Sequence, residues 1–230
     1  MKVESHLLGT LIETDFVQVL LGNRNSQISQ LQKSFPGVQF KRVKQVHGDK
    51  VTHTSPHTID FSFEADAHST SQANLGLCIA TADCIPVMIY HHEPRWACAI
   101  HAGWRGVEKR IVPKAIASLI RSQCRPEDML LFVGPHIQAS SFEVGNDVRD
   151  KLLNSIRSPD DSLWVPSAQE GKSKVDLHQI LKLQLEESGV RLENVFFELV
   201  DTVTDQGYHS FRRDKENSGR QLSFLSLKNA

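Results

Sequence analysis

With 230 residues, 40% hydrophobic and 23% charged, the chain has an ordinary globular mix and the length for one large domain, at roughly 100–200 residues per domain. Disordered, fibrous and collagen-like classes are excluded. Lys plus Arg number 26 and Asp plus Glu 27, a formal net charge of −1 without a basic stripe, so nucleic acid is not an expected partner. Eleven histidines against two tyrosines is the odd feature of the composition, because neutral imidazole is the commonest metal ligand. Four cysteines, at 78, 84, 98 and 124, form no C-x-x-C pair and no disulfide framework, which suits a reducing compartment. Residues 1–10 lack a signal-peptide pattern, and the apolar stretch 75–90, interrupted by Asp83 and Pro86, is shorter than the ~20 residues of a spanning helix. The expectation is a cytoplasmic protein with no membrane partner, a monomer or small homo-oligomer.

No internal repeat or linker divides the chain, so residues 1–230 are expected to form a single domain. Residues 75–90 read as a buried strand that Pro86 ends or bends. Residues 96–101 read as its antiparallel neighbour, joined through the turn HHEPR. After Gly106 apolar residues recur at four-residue steps, the face of a helix that either is kinked by Pro113 in its second turn or starts near Val112 with Pro113 at its first position. A strand is expected at 129–133 and a helix at 146–156. Asp176 reads as the cap of a helix running to Ser188, stopped by Gly189. Strands at 195–200 and 222–227 close the chain. Strands and helices mix without strict alternation, which predicts an α+β domain of mixed sheets flanked by helices.

Three segments pair a ligand-type side chain with small, turn-forming neighbours: Gln45-Val46-His47-Gly48, Thr81-Ala82-Asp83-Cys84 and His101-Ala102-Gly103-Trp104-Arg105-Gly106. Together His47, Cys84 and His101 supply two nitrogens and a sulfur, leaving a fourth tetrahedral position open, the composition of a catalytic zinc site. A lone cysteine in an apolar strand is otherwise a small core residue, the reading kept for Cys78, Cys98 and Cys124. His53, His57, His91 and His92 read as solvated surface, and His136 is open. Asp66, with Glu64 as neighbour, could orient a ligand histidine or act as general base. Lys44, Arg105 and Arg213 are candidate seats for phosphate or carboxylate, with Arg212 and Arg220 beside the last.

These segments resemble the YfiH and YlmD family, the multicopper polyphenol oxidoreductase (laccase) domain family that includes the mammalian protein FAMIN. The resemblance runs from about residue 40 to 227 and is carried by QVHG at 45–48, EADA at 64–67, TADCIPV at 81–87, HAGWRG at 101–106, GPHI and FEVG between 134 and 145, and SFRRD with GRQLSF at 210–224. It implies a metal site on His47, Cys84 and His101, holding zinc, or copper as the laccase name suggests. It also implies phosphorolysis of adenosine, inosine and methylthioadenosine, adenosine deaminase activity, and a fold similar to cysteine hydrolases. The chain departs from the family in lacking a Ser-x-Arg-x-Gly-Gly opening, in Gln138 where a turn glycine is usual, and in Asp201 where a cysteine is usual. Nucleoside and phosphate are the expected partners. The competing expectations are a metal-free cysteine hydrolase or peptidoglycan-editing amide hydrolase using Cys84 and His101, a copper polyphenol oxidase, and a zinc-stabilised binding protein.

Overall fold

The computed structural model describes residues 1–229. The chain opens with β1 (Lys2–His6), β2 (Gly9–Glu13), β3 (Val17–Gly22) and α1 (Ile28–Ser34), followed by β4 (Gln39–Arg42), β5 (Val51–His53) and β6 (Ala67–Thr70). Next come β7 (Leu75–Thr81), β8 (Ile85–His91), β9 (Trp96–Ala102), α2 (Trp104–Glu108), α3 (Ile111–Arg121) and β10 (Leu130–Val133). The C-terminal part holds β11 (Glu143–Gly145), α4 (Asn146–Leu153), β12 (Trp164–Pro166), β13 (Lys172–Val175), α5 (Leu177–Glu187), β14 (Val195–Phe197), α6 (Phe211–Asp214) and β15 (Gln221–Leu227).

Two six-stranded mixed sheets are ordered β1-β2-β3-β15-β7-β4 and β14-β10-β8-β9-β6-β5, with a small sheet β11-β13-β12 beside them. The parallel pairs are β4 with β7, β5 with β6 and β10 with β14; the rest are antiparallel. Leu75, Leu77 and Ile79 of the first sheet pack against Met88, Tyr90, Ala97 and Ala99 of the second. The other face of the second sheet, Ile85, Val87, Ile89, Cys98 and Ile100, packs against α3 and α5. Helix α1 covers the outer face of the first sheet through Leu31, with Phe35 just beyond it. This is the expected α+β domain of mixed sheets flanked by helices.

Because β7, β8 and β9 are buried on both faces, they read as continuous apolar runs. That is why residues 75–90 look like one strand. They are two strands of different sheets, and the break falls at Ala82-Asp83-Cys84, where Asp83 takes a left-handed φ of 79°. Pro86 does not end the strand: it is the second residue of β8, ahead of the first β10 pair at Val87, and removes no donor from that ladder. Trp96–Ala102 is the expected antiparallel neighbour. The helix start expected near Val112 is found at Ile111, with Pro113 third in the helix rather than first. Arg110, at a φ of 60°, separates α2 from α3, and Pro113 falls in the first turn of α3, where its missing N–H has no intrahelical partner. Asp176 caps α5 by accepting from Gln179 N at 2.9 Å, and Gly189 ends it with a φ of 84°. The expected helix 146–156 is shorter, ending at Leu153, and the strand 195–200 ends at Phe197. Among the described residues no helix is long and apolar enough to cross a membrane.

Three of the four cysteines, Cys78, Cys98 and Cys124, are core residues as expected, and burial pushes the Cys98 thiol up to about 12 and the Cys124 thiol up to about 11. His91, expected on the surface, is instead buried: its ring lies between the Pro94 carbonyl and the Arg125 N–H, which consume both nitrogens. His53, His57 and His92 are exposed.

His68 and His136 are fully buried imidazoles. His68 Nδ1 lies 3.1 Å from Thr54 Oγ1 and His136 Nδ1 2.7 Å from the Gly134 carbonyl, while both Nε2 atoms lack a partner. Burial disfavours the charged ring and lowers both to about 4 from 6.5. The folded values lie below the unfolded one, so the stability these rings contribute is complete above about pH 6.5 and is lost as the pH falls toward about 4. Thermal melts should show the melting temperature falling between about pH 7 and about pH 4, with roughly 1–3 kcal/mol lost per histidine. The slope should be shallower in His68→Gln; a melting temperature that is flat across this window contradicts the assignment.

Candidate functional site

The site is assembled where the two large sheets' connecting loops meet. Gln45-Val46-His47-Gly48 follows β4 in the first sheet. Its near end is clamped to β7, because the Gln45 side chain donates to the Ala80 carbonyl and accepts from the Ala80 N–H, both at 2.8 Å. Its far end is clamped to Asp66, one residue before β6. The Asp66 carboxylate accepts from the backbone N–H groups of Val46 at 3.2 Å, His47 at 2.9 Å and Gly48 at 2.7 Å. His47 takes a left-handed φ of 57°, and its ring is exposed.

The same carboxylate holds His101 on β9, whose Nδ1 lies 2.8 Å from Asp66 Oδ1 in a fully buried contact. Burial works against the Asp66 charge, but the His101 interaction and the Gly48 and Val46 N–H groups outweigh it and hold the carboxyl below its ordinary value. With Nδ1 engaged, Nε2 of His101 is left for Cys84. The His47 and His101 rings meet edge to face with centroids 4.7 Å apart.

Cys84 stands at the end of the strained turn between β7 and β8. Asp83 secures that turn by three bonds: its carboxylate accepts from Thr202 Oγ1 at 2.7 Å and Arg212 N at 2.6 Å, and its carbonyl from Ile137 N at 3.0 Å. Burial opposes the thiolate, but the charge of His101 and hydrogen bonds from His101 and His47 bring the thiol well below its ordinary value. Burial likewise opposes the charge on His101, and the Cys84 and Asp66 interactions outweigh it, raising that imidazole well above its ordinary value. Gly103 closes the approach: a Cβ there would stand 2.9 Å from Cys84 Sγ and 3.2 Å from His47 Cδ2, so no side chain fits.

One ligand atom from each of His47, Cys84 and His101 lies within 4.8 Å of the others, the one His/Cys/Asp/Glu cluster among the described residues with metal-binding geometry. Zinc binds nitrogen and sulfur at about 2.0–2.3 Å, so small adjustments of these side chains suffice to surround an ion. The trio opens on a cavity of about 690 Å³, within the ~300–1,000 Å³ usual for small-molecule sites. Apolar residues Val43, Ile137 and Leu177 and the rings of Phe61, Trp104, Phe142 and Phe211 line it. Among the described residues none before Val43 lines it.

The remaining candidates separate cleanly. Asp66 is fully buried and does not line the cavity; its oxygens are taken by loop 46–48 and His101, an arrangement that fixes the His101 ring and leaves no Asp66 oxygen in the cavity lining. Glu64 is exposed and ion-paired with Lys44 at 2.8 Å. Lys44 and Arg105 line the cavity, and the Arg105 guanidinium stacks 4.4 Å over Trp104. Arg213 does not line it: its guanidinium donates to the carbonyls of Thr202, Val203 and Tyr208 and pairs with Asp214, fastening the 202–214 segment to itself. Its neighbours Arg212 and Arg220 do line the cavity, together with Lys215, which sequence reasoning missed. His136 is buried against His178, with ring centroids 5.6 Å apart, and is not part of the cavity lining. Gln138 donates to the His136 carbonyl at 3.1 Å, and Asp201 accepts from Ser141 Oγ at 2.5 Å and Val203 N at 3.0 Å, so both departures from the family pattern serve loop structure.

A family model described as multi-copper polyphenol oxidoreductase laccase matches residues 14–228. A purine nucleoside phosphorylase of Deinococcus radiodurans is 31% identical over 193 residues, spanning 84% of this chain and 72% of that protein. Purine nucleoside phosphorylase YfiH of Shigella flexneri is 30% identical over 187 residues, spanning 80% and 72%. Among solved structures, a Bacillus licheniformis protein described as hypothetical protein YfiH superposes with a TM-score of 0.90 at 21% identity over 98% of this chain and 99% of that one. YlmD from Geobacillus stearothermophilus gives 0.79 at 24% identity over 87% and 78%.

Asp66 supplies a testable handle on the trio. Asp66→Asn keeps the shape but loses the charge that holds the His101 ring, and zinc affinity should fall about 10–100-fold, as for other partners of ligand histidines. Competition with a chromophoric chelator measures this; unchanged affinity would contradict the orienting role.

Proposed function

Since the chain belongs to the multi-copper polyphenol oxidoreductase laccase family, we propose that it is a metal-dependent purine nucleoside phosphorylase, with adenosine, inosine and methylthioadenosine as its substrates. The observation that carries this reading is the meeting of His47, Cys84 and His101 on the wall of a cavity that also presents cations. The two-nitrogen, one-sulfur donor set suits zinc and also accepts copper. Zinc held there would supply Lewis acidity toward an oxygen of the reactants.

The chain's own residues account for the rest. Phosphorolysis forms a bond from a phosphate oxygen to C1′ of the ribose as the C1′–N9 bond breaks, the electron pair leaving with the purine. It requires an anion held beside the sugar, and Arg105, ordered by its stacking on Trp104, supports that seat with Lys44 at the rim. The aromatic faces of Phe61, Phe142 and Phe211 suit a flat purine. Ile137 and Leu177 add buried apolar surface to the lining.

Deamination is supported less well. It calls for a carboxylate to move protons at the base, and Asp83, the one carboxylate lining the cavity, already accepts from Thr202 and from the Arg212 N–H. A metal-free hydrolase is favoured by one specific observation, the chain Asp66, His101, Cys84 in the order carboxylate, imidazole, thiol.

Incubation of the purified protein with adenosine or inosine, with and without phosphate, separates these readings by chromatography. Free purine and ribose 1-phosphate should appear only with phosphate, and Cys84→Ala or His47→Ala should lower the rate by about two orders of magnitude. Arg105→Ala should raise KM for phosphate about tenfold, the worth of one charge-assisted hydrogen bond. Inosine formed from adenosine without phosphate would establish deamination instead. Full activity after metal removal would overturn the metal-dependent reading.

A further inference from the structure

The cavity's charge exceeds what phosphorolysis of an uncharged nucleoside needs. Among the described residues, four of the cations that line it form no ion pair, Arg105 from α2 and Arg212, Lys215 and Arg220 from the segment leading into β15. Lys44 is offset by Glu64, and Asp83 is the one carboxylate in the lining. A phosphate group carries about −1.5 to −2 at neutral pH, so a single inorganic phosphate beside Arg105 leaves the second wall uncompensated.

On that second wall Arg212 is half-buried while Lys215 and Arg220 are exposed, and both guanidinium groups are anchored. Arg212 has one terminal nitrogen fixed on the Ser141 carbonyl at 3.0 Å, and its guanidinium lies 5.7 Å from the centre of the Phe142 ring. Arg220 has one fixed on the carbonyls of Ser218 and Gly219, at 3.0 and 2.8 Å, beside the Phe211 ring. Each guanidinium is thus oriented by one edge and keeps its other N–H groups for a ligand, which lowers the entropy lost on binding. Between them Lys215 sits at φ 51° and ψ −130°, a backbone conformation that glycine adopts freely and lysine only under strain.

We propose that Arg212, Lys215 and Arg220 form a second phosphate seat, so that the cavity's preferred ligand is a purine nucleoside bearing a 5′-phosphate rather than the free nucleoside. The purine assignment rests on the phosphorylase reading above; the phosphate seat rests on the cationic wall alone.

Calorimetric titration of the metal-loaded protein with adenosine and with adenosine 5′-monophosphate tests this. The monophosphate should bind at least about tenfold tighter, the gain of one charge-assisted contact, and the preference should persist in saturating inorganic phosphate. In Lys215→Gly and Arg220→Gln the ratio of the two affinities should collapse toward one. Lys215→Gly should melt at the same or a higher temperature, because glycine relieves the strained turn. A monophosphate that binds no tighter than adenosine overturns the proposal. So does loss of the preference when inorganic phosphate is added, which would make this wall the seat of the co-substrate. Monophosphate binding that depends on Lys215 while no nucleoside is cleaved would overturn the phosphorylase reading and leave the second seat intact. Cleavage of adenosine without any preference for the monophosphate would do the reverse.

Discussion

A single buried carboxylate holds the candidate site together. Asp66 has no access to solvent, and a charge in that position is tolerable only when its oxygens are satisfied. Three backbone N–H groups of loop 46–48 and the imidazole of His101 satisfy them. Those bonds join a loop that leaves the first sheet to a strand in the second, and thereby bring His47 and His101 to one place. Cys84 arrives by an independent route, a strained turn secured by Asp83, and Gly103 leaves it room. The three side chains come from distant parts of the chain, yet the segments that carry them are held by bonds to backbone, the rigidity that a metal bound there would require.

Much of this was legible before the structure. The trio of His47, Cys84 and His101 followed from ligand chemistry at small-residue turns, and the motif resemblance pointed to the same atoms. The helix cap at Asp176 and the stop at Gly189 followed from local rules that act within a few residues. What escaped sequence reasoning had physical reasons. Residues 75–90 carry apolar side chains on both faces because both their strands are sandwiched, so periodicity offered no sign of the break; the sign was Asp83, a charged residue in a left-handed turn. His91 looked like surface because its turn is polar, but a fold that offers a carbonyl and an N–H can bury a histidine. Between Arg212 and Arg213 the sequence held no means of choosing, since adjacent residues of a short helix point in different directions and only the backbone says which faces the cavity.

The arrangement also separates two roles that one acidic residue could have filled. A carboxylate at the mouth of a metal site can act on substrate; one beneath a ligand histidine fixes the ring and strengthens it as a donor. Asp66 is beneath, and the carboxylate within the cavity, Asp83, is engaged in holding the turn that carries Cys84. The cavity is therefore poor in free acids and rich in free cations, an electrostatic character matched to phosphate more than to acid–base work on a purine. The strained Lys215 belongs to the same pattern, with local stability given up where a cation faces the cavity.

The central claim is that Asp66 assembles His47, Cys84 and His101 into a metal centre. X-ray absorption at the zinc edge, on protein purified without added metal, addresses it directly. The account predicts about one zinc per chain with two nitrogen ligands and one sulfur ligand, the sulfur signal lost in Cys84→Ala. A chain without stoichiometric metal, or a metal shell that lacks sulfur, would contradict it.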